Sequence, residues 1–398
     1  MTKFLKCFLI SIFIFFCTFI FVYAEEIDIS SKNVILYNLK DNSVIYEKNP
    51  DDKVYIASLT KIMTAIVAIE NIEDLDQRIL ITGNMINNLA NDLSKVGFIE
   101  GEVVTYRDLL YGTLLKSGAD ATDILAISIS GSVNEFVKLM NQKAKDLGMD
   151  NSNFENTIGI EGTNHHSSAR DLATLLKYAI KNETFLEVFS SKTYISTNKE
   201  HDMNGPLKYI TDKDNINFKY IKGAKTGYTS KAGLCLASIA TYKGIDYLLV
   251  TIGADYENKT QHMEDSKKIY EYFFNNYEYK KIISKGDIIV KLNTVYGKEY
   301  DIISDETYES YLNKNITNED LTYEYKGIST LGRDIRKNDK IGTFYIKYND
   351  EVLYTKSITS PVTVKFDLLF FLKQNIILIS LLGILILLLI LAFRIKKR

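Results

Sequence analysis

The chain has 398 residues, 46% of them hydrophobic and 25% charged. That composition fits a folded protein of about two domains and excludes a disordered or low-complexity one. The formal charge of −2 is uneven: without the apolar ends, 41 basic residues face 49 acidic ones, near −8, which argues against nucleic acid as a partner.

Residues 1–24 open with Lys3 and Lys6, continue as an apolar run and end on Val22-Tyr23-Ala24 before Glu25-Glu26. This is the layout of a secretory signal peptide, with an uncleaved membrane anchor as the competing reading. Val34-Ile35-Leu36-Tyr37 and Val44-Ile45-Tyr46, around Asp41-Asn42, predict a hairpin. From Ser58 onward, Ile62, Met63, Ala65, Ile66, Ala68 and Ile69 predict a largely apolar central helix. Residues 105–149 read as mainly helical. Thr105 can cap one helix, Ser117 ends or interrupts it, and Val133, Phe136, Val137, Met140 and Ala144 share a later helix face.

A further helix is expected over residues 170–181. In the segment before it, His166-Ser167-Ser168-Ala169-Arg170-Asp171, either Ser167 or Ser168 can cap, with Asp171 near the positive end. Arg170 could instead hold a loop beside a site. Residues 218–225, 234–241 and 245–253 read as strands, the last two joined at Lys243-Gly244. Met263, Lys267, Tyr270, Phe274 and Tyr277 follow with helical spacing. The order is strands, many helices, strands, helix, which predicts an α+β fold with an antiparallel sheet built from both ends of the domain.

From about residue 280, short β-rich runs recur at 287–292, 321–325, 342–346 and 352–354 and predict a small all-β domain. Ile376 to Phe393 is apolar apart from Ser380 and Gly383, long enough for one membrane-spanning helix. Arg394-Ile395-Lys396-Lys397-Arg398 follows. Basic residues stay on the cytoplasmic side, so the chain is expected to end inside with everything before residue 374 outside. The expected organisation is a signal peptide at 1–24, the α+β domain at 25–278, the β-rich domain at 283–364, a transmembrane helix at 374–394 and a basic tail at 395–398.

Cys7 and Cys17 fall in the signal, so Cys235 stands alone, without an intrachain disulfide or a cysteine metal cluster. In Leu234-Cys235-Leu236-Ala237 it reads as a small buried hydrophobe. None of the four histidines, His165, His166, His201 and His262, has metal-ligand spacing with another.

Ser58 and Lys61 could carry chemistry. On a helix, residues three apart lie on one face, so the lysine can touch the hydroxyl. Serine needs an adjacent base to become a nucleophile. A lysine serves if desolvation or a neighbouring cation keeps it neutral. The plainer alternative is that Ser58 only caps the helix. Two further elements follow in order: Ser117-Gly118-Ala119-Asp120 at a helix junction, and Lys225-Thr226-Gly227 on a strand at a sheet edge. Ser-x-x-Lys, then Ser-x-Asn, then Lys-Thr-Gly is the ordered signature of penicillin-binding proteins and serine β-lactamases.

With these elements the chain resembles the low-molecular-mass penicillin-binding proteins, the serine-type D-alanyl-D-alanine carboxypeptidases (peptidase S11-like). The resemblance extends to the first hairpin at Lys32 to Asn49, to His166-Ser167-Ser168-Ala169-Arg170-Asp171, to Gly223-Ala224-Lys225-Thr226-Gly227-Tyr228-Thr229 with Ala232-Gly233, and to Asp339-Lys340-Ile341-Gly342 in the β-rich domain. It implies a β-lactamase-like catalytic domain at 25–278, then a small all-β domain that holds the site above the bilayer, and a C-terminal anchor. It implies peptidoglycan stem peptides and β-lactam antibiotics as partners, the extracytoplasmic face of a bacterial membrane as location, and no cofactor or metal.

The resemblance also implies roles. Ser58 would attack the bond between the last two D-alanines, Lys61 would take its proton, and Ser117 would relay a proton to the leaving amine. Lys225, Thr226, Gly227 and Thr229 would bind substrate, and backbone N–H groups of Ser58 and of the strand near Tyr228-Thr229 would hold the oxyanion.

One departure stands out. The second motif usually ends in asparagine, and here that position is Ala119. A methyl group offers neither the donor nor the acceptor of an amide. Losing such a contact costs about 2 to 4 kcal/mol of transition-state stabilisation if it acts as an oxyanion donor does. Asp120, next in sequence, is expected to point elsewhere. Two other functions therefore stay open at this level: a weakly catalytic penicillin-binding sensor, and a β-lactamase. The latter lacks a clear Glu-x-x-x-Asn segment between the second and third motifs.

Overall fold

The computed structural model describes residues 27–86, 89–212 and 216–396. The expected signal peptide at 1–24 lies outside them, as do the last two residues of the basic tail. The chain divides into two compact units, Met1–Phe273 and Phe274–Arg398.

The first unit is built on a five-stranded antiparallel sheet. Its strands are β1 (Asn33–Asn38), β2 (Ser43–Lys48), β3 (Ile221–Thr229), β4 (Gly233–Tyr242) and β5 (Ile245–Ala254), in the spatial order β2-β1-β5-β4-β3. The two ends of the domain thus meet where β1 pairs with β5, Ile35 opposite Val250. The β4–β5 hairpin turns on Lys243 (φ +50°) and Gly244 (φ +77°). Two left-handed residues in succession match the twist of the flanking strands, as in a type I′ turn. The expected strand at 218–225 instead runs from Ile221 to Thr229, because Thr226 to Thr229 go on pairing with Gly233 to Leu236 of β4. The Lys-Thr-Gly segment therefore lies inside β3, at the sheet edge.

The longer helices are α1 (Thr60–Glu70), α2 (Tyr106–Leu114), α3 (Ala119–Ser130), α4 (Val133–Asp146), α5 (Ala169–Ala179) and α6 (Gln261–Asn276), with shorter ones at Gly83–Ile86, Glu183–Phe189 and Pro206–Asp212. α1 is buried from Thr60 to Ala68 and is packed on by α2, α3, α4 and α5, which explains its nearly all-apolar sequence. Thr105 caps α2 in a reciprocal capping box with Asp108, and Ser168 caps α5 through the Asp171 N–H. Arg170 pairs with Asp51 at 2.7 Å and Glu47 at 2.9 Å, clamping β2 and the loop after it.

Ser58 does not cap. Ala57–Leu59 forms a 3-10 turn ahead of α1, and no side-chain cap bond starts either element. Helical spacing also overshoots at Tyr277, which opens a strand instead. Two short antiparallel pairs, Arg78–Leu80 with Val103–Thr105 and Thr193–Ile195 with Asp202–Asn204, escape a periodicity reading because three residues carry almost no alternation.

After the last residues of α6, the second unit is all-β from Tyr277 up to residue 367, apart from a short 3-10 turn. Tyr277–Ile283 pairs with Tyr308–Asn313. Ile288–Thr294 lies between Glu299–Ile303 and Thr330–Leu331, and Lys340–Tyr348 lies between Thr322–Gly327 and Glu351–Thr359. Leu292, Leu331, Phe344, Ile346 and Ile358 make its core. Two helices end the chain: Leu368–Gln374, capped by Asp367, and Ile376–Lys396. Within the latter, Ile376–Arg394 is long and apolar enough to cross a membrane, and none of it is buried against protein.

Candidate active site

Ser58 sits half-buried in the 3-10 turn, and Lys61 lies one turn on, within α1. Lys61 Nζ donates to Ser58 Oγ at 3.1 Å and to the Ile158 carbonyl at 2.6 Å. Only 3% of Lys61 is exposed. Burial pushes its ammonium down to about 7, and the negative charges of Asp123 and Asp120 hold it from falling further. A lysine near 7 is neutral often enough to take a proton at physiological pH, which a surface lysine is not.

Lys225 faces the same region from β3. It is fully buried, and its Nζ donates to Ser117 Oγ at 3.0 Å and to the Thr226 carbonyl at 2.9 Å. Burial, then the nearby charge of Lys61, drives its pKa well below that of a free lysine. A surface lysine at a strand end would read the same in sequence, but this one is a buried donor aimed at a serine.

The backbone around both serines is strained. Ala57, just before Ser58, has φ +47°, and Ser117 has φ +59°. Non-glycine residues enter this left-handed region at a cost, and such strain gathers at functional sites. Gly227 lets the two halves meet. A Cβ there would stand 2.9 Å from Ser58 N and 3.1 Å from Ala57 Cβ. Gly227→Ala is therefore expected to push β3 away from the serine, slowing β-lactam labelling by about tenfold or more and costing about 1–3 kcal/mol of stability because the atom met is backbone. A labelling rate unchanged from wild type would show that the close approach is not needed. Thr226 and Thr229 are half-buried on the same strand, and Thr229 Oγ1 accepts from the Ala232 N–H at 3.1 Å.

Several contributors carry no sequence motif. His165 Nδ1 accepts from the Glu155 N–H at 3.1 Å, which leaves the proton on Nε2, 2.9 Å from Thr60 Oγ1. Thr60 in turn donates to the Ala57 carbonyl at 2.9 Å, so a neutral histidine pins the turn that presents Ser58. Burial keeps His165 neutral by lowering its pKa to about 4. Gly159 (φ +87°) brings the 156–160 loop onto that turn, where a Cβ would stand 2.0 Å from Ala57 O. Glu161 pairs with Lys231 at 3.4 Å and accepts its N–H at 3.1 Å, tying the loop to the turn after β3.

Asp120 points away, as expected. Its carboxylate accepts from the N–H groups of Val96, Gly97 and Phe98 at 2.7 to 3.1 Å. Cys235 is buried on β4, with its thiol pushed up to about 12, so it is inert packing. Among the described residues, no group of histidine, cysteine and acidic side chains has the arrangement to hold a metal ion.

Residues 21–256 match the D-alanyl-D-alanine carboxypeptidase family, peptidase S11, and residues 277–366 match the C-terminal domain of penicillin-binding protein 5. The chain is 30% identical over 353 residues to the D-alanyl-D-alanine carboxypeptidase DacF of Bacillus subtilis, covering 86% of this chain and 87% of that one. It is 32% identical over 277 residues to the carboxypeptidase DacA of Haemophilus influenzae, 68% of each chain. In fold it is similar to the crystal structure of the carboxypeptidase DacD from Francisella tularensis, with a TM-score of 0.69 at 23% identity over 87% of this chain and 97% of that one. A serine–lysine pair under a Lys-Thr-Gly edge strand, on a sheet followed by a small all-β unit, belongs with these matches: the chain is a member of the serine-type D-alanyl-D-alanine carboxypeptidase family.

Proposed function

We propose that the protein removes the terminal D-alanine from peptidoglycan stem pentapeptides through an acyl-enzyme on Ser58. The observation that carries this reading is the Ser58–Lys61 pair, a hydroxyl 3.1 Å from a buried amine whose pKa lies near 7. Neutral Lys61 takes the hydroxyl proton as Ser58 Oγ attacks the carbonyl between the two D-alanines. The tetrahedral oxyanion is held by the Ser58 N–H and an outward N–H of β3, an edge strand with unpaired groups on one side. The proton taken by Lys61 is relayed through the Ser117 hydroxyl to the departing amine, which returns Lys61 to its neutral form, and D-alanine leaves. Water then attacks the ester, Lys61 again acting as base, and Ser58 is regenerated. β-Lactams acylate the same serine and leave slowly.

Lys225, with Thr226, Gly227 and Thr229, holds the substrate's terminal carboxylate. Burial disfavours the charge on Lys225, and an arriving carboxylate restores it. Binding of a D-alanyl-D-alanine pentapeptide to the Ser58→Ala chain is therefore expected to take up protons at pH values between the lowered value of the buried Lys225 and that of an ordinary lysine. Calorimetry in buffers of different ionisation enthalpy reads this. Uptake of none would separate Lys225 from the carboxylate.

The catalytic domain at 25–278 and the β-rich domain at 283–364 work outside the cytoplasmic membrane. The helix at 374–394 anchors them, the tail at 395–398 stays inside, and residues 1–24 direct export. Protease added to intact spheroplasts should reach everything before residue 374. Protection of that region would reverse the orientation.

A second reading is favoured by Ala119: a penicillin-binding sensor that acylates but hardly turns over. D-Alanine release from a pentapeptide by the detergent-purified chain decides between the two. Steady release supports the carboxypeptidase. Penicillin labelling without release supports the sensor.

A further inference from the structure

Lys61 has three ammonium protons when charged, and two have partners, Ser58 Oγ and the Ile158 carbonyl. Neither partner is charged. The charges that act on Lys61 are those of Asp123 and Asp120 on α3, and the other buried amine nearby is Lys225 on β3. Asp120 is committed to the backbone at Val96 to Phe98. Lys225 is turned to Ser117 and the Thr226 carbonyl. Asp123 remains, and the mechanism above does not use it.

Asp123 lies four residues after Ala119 on α3, hence on the same helix face one turn away. Its Oδ1 accepts a 2.6 Å hydrogen bond from Thr157 Oγ1. The Thr157 carbonyl accepts from Thr64 Oγ1 at 2.7 Å, and Thr64 sits three residues after Lys61 on α1. Thr157 is fully buried, and the next residue is Ile158, whose carbonyl holds Lys61. The loop is thus fastened at Thr157 to both helices, and that fastening sets where the Ile158 oxygen meets the amine. Small hydrogen-bonded networks of this kind act as a unit, so a change at one member is felt at the others.

We propose that Asp123 is a positioning residue for Lys61, acting through Thr157 and through its own charge, and that it supplies the polar support which an asparagine at position 119 would give. The proposal rests on Ser58 and Lys61 being nucleophile and base. The charge opposes the loss of the Lys61 proton, and the hydrogen bond keeps the Ile158 carbonyl in place.

The test uses the full chain in detergent and the rate of acylation by a fluorescent penicillin, followed against pH. Asp123→Asn keeps the side-chain size and a hydrogen bond to Thr157 but removes the charge. The acid limb of its profile should move to lower pH, because Lys61 then loses its proton more readily, with a plateau within about threefold of wild type. Asp123→Ala removes both and should lower the plateau about tenfold. Ala119→Asn should restore most of that loss in the Asp123→Ala background while giving little in the wild type.

An acid limb that does not move in Asp123→Asn would overturn the proposal, as would an equal effect of Ala119→Asn in both backgrounds. If Asp123→Ala does not fold, the pH limb of Asp123→Asn decides alone. Failure of the underlying Ser58–Lys61 reading looks different: labelling would be absent in the wild type, or would persist in Ser58→Ala.

Discussion

Ser58→Ala is expected to lose D-alanine release and β-lactam labelling together, by about a thousandfold or more, while folding is left almost unchanged. Both losses follow from one cause, because release and labelling pass through a bond to the same Oγ. The nearly unchanged stability follows from the fold. A serine that capped α1 would leave an orphan N–H on removal and cost about 1 kcal/mol. Ser58 makes no cap bond, and Thr60 and His165 fasten the turn instead. A half-buried serine outside any cap loses only the hydrogen bond from Lys61, so stability should fall by no more than about 1 kcal/mol. Labelling and thermal melts on the same preparations read both quantities. A fall in melting temperature well beyond the loss of that one hydrogen bond would return Ser58 to a structural role. Labelling that survives would move the nucleophile elsewhere.

The sequence makes some parts of this site legible and hides others, and the division has a physical basis. Ser58 with Lys61, and Lys225 with Thr226 and Gly227, each sit within one turn or one strand, so their spacing alone places them together. Thr105, and one of Ser167 and Ser168, are read as caps for the same reason: a cap bonds three residues along its own chain, as Thr105 and Ser168 do. His165 bonding Thr60, and Thr157 bonding Asp123, are contacts across long loops, which leave no periodic trace. Gly159 looks like any loop glycine until Ala57 is found against it. Ala119 is a visible departure in a known pattern, but nothing in the spacing marks Asp123, whose link to the site runs through Thr157 on a distant loop. The strand over Tyr277–Ile283 was hidden because Tyr270, Phe274 and Tyr277 happen to repeat at helical spacing.

Lys61→Met is expected to destroy activity yet make the first unit more stable at neutral pH. Lys61 is all but fully buried, and burial lowers its pKa from 10.5 to about 7. The unfolded chain keeps the proton up to about pH 10.5, whereas the folded chain gives it up near 7. Between these values the unfolded state binds more protons, so stability rises with pH; below about 7 both states are protonated and the cost of burying the charge is constant and largest. Each unit of pKa is worth about 1.4 kcal/mol. Part of the gain from methionine is offset by two lost hydrogen bonds, about 1 kcal/mol each, and by the loss of a cation near Asp123. The net gain should be of the order of 2 kcal/mol at pH 6, a rise of about 4–8 °C in the melting of this unit, fading toward pH 10. Calorimetric melts of both chains at the two pH values measure it. A difference that is absent at pH 6, or that grows with pH, would mean that the buried amine carries no such burden. The expected result makes the buried lysine a stability cost that the fold keeps for chemistry, since the same desolvation that strains the native state leaves the amine neutral enough to act as a base.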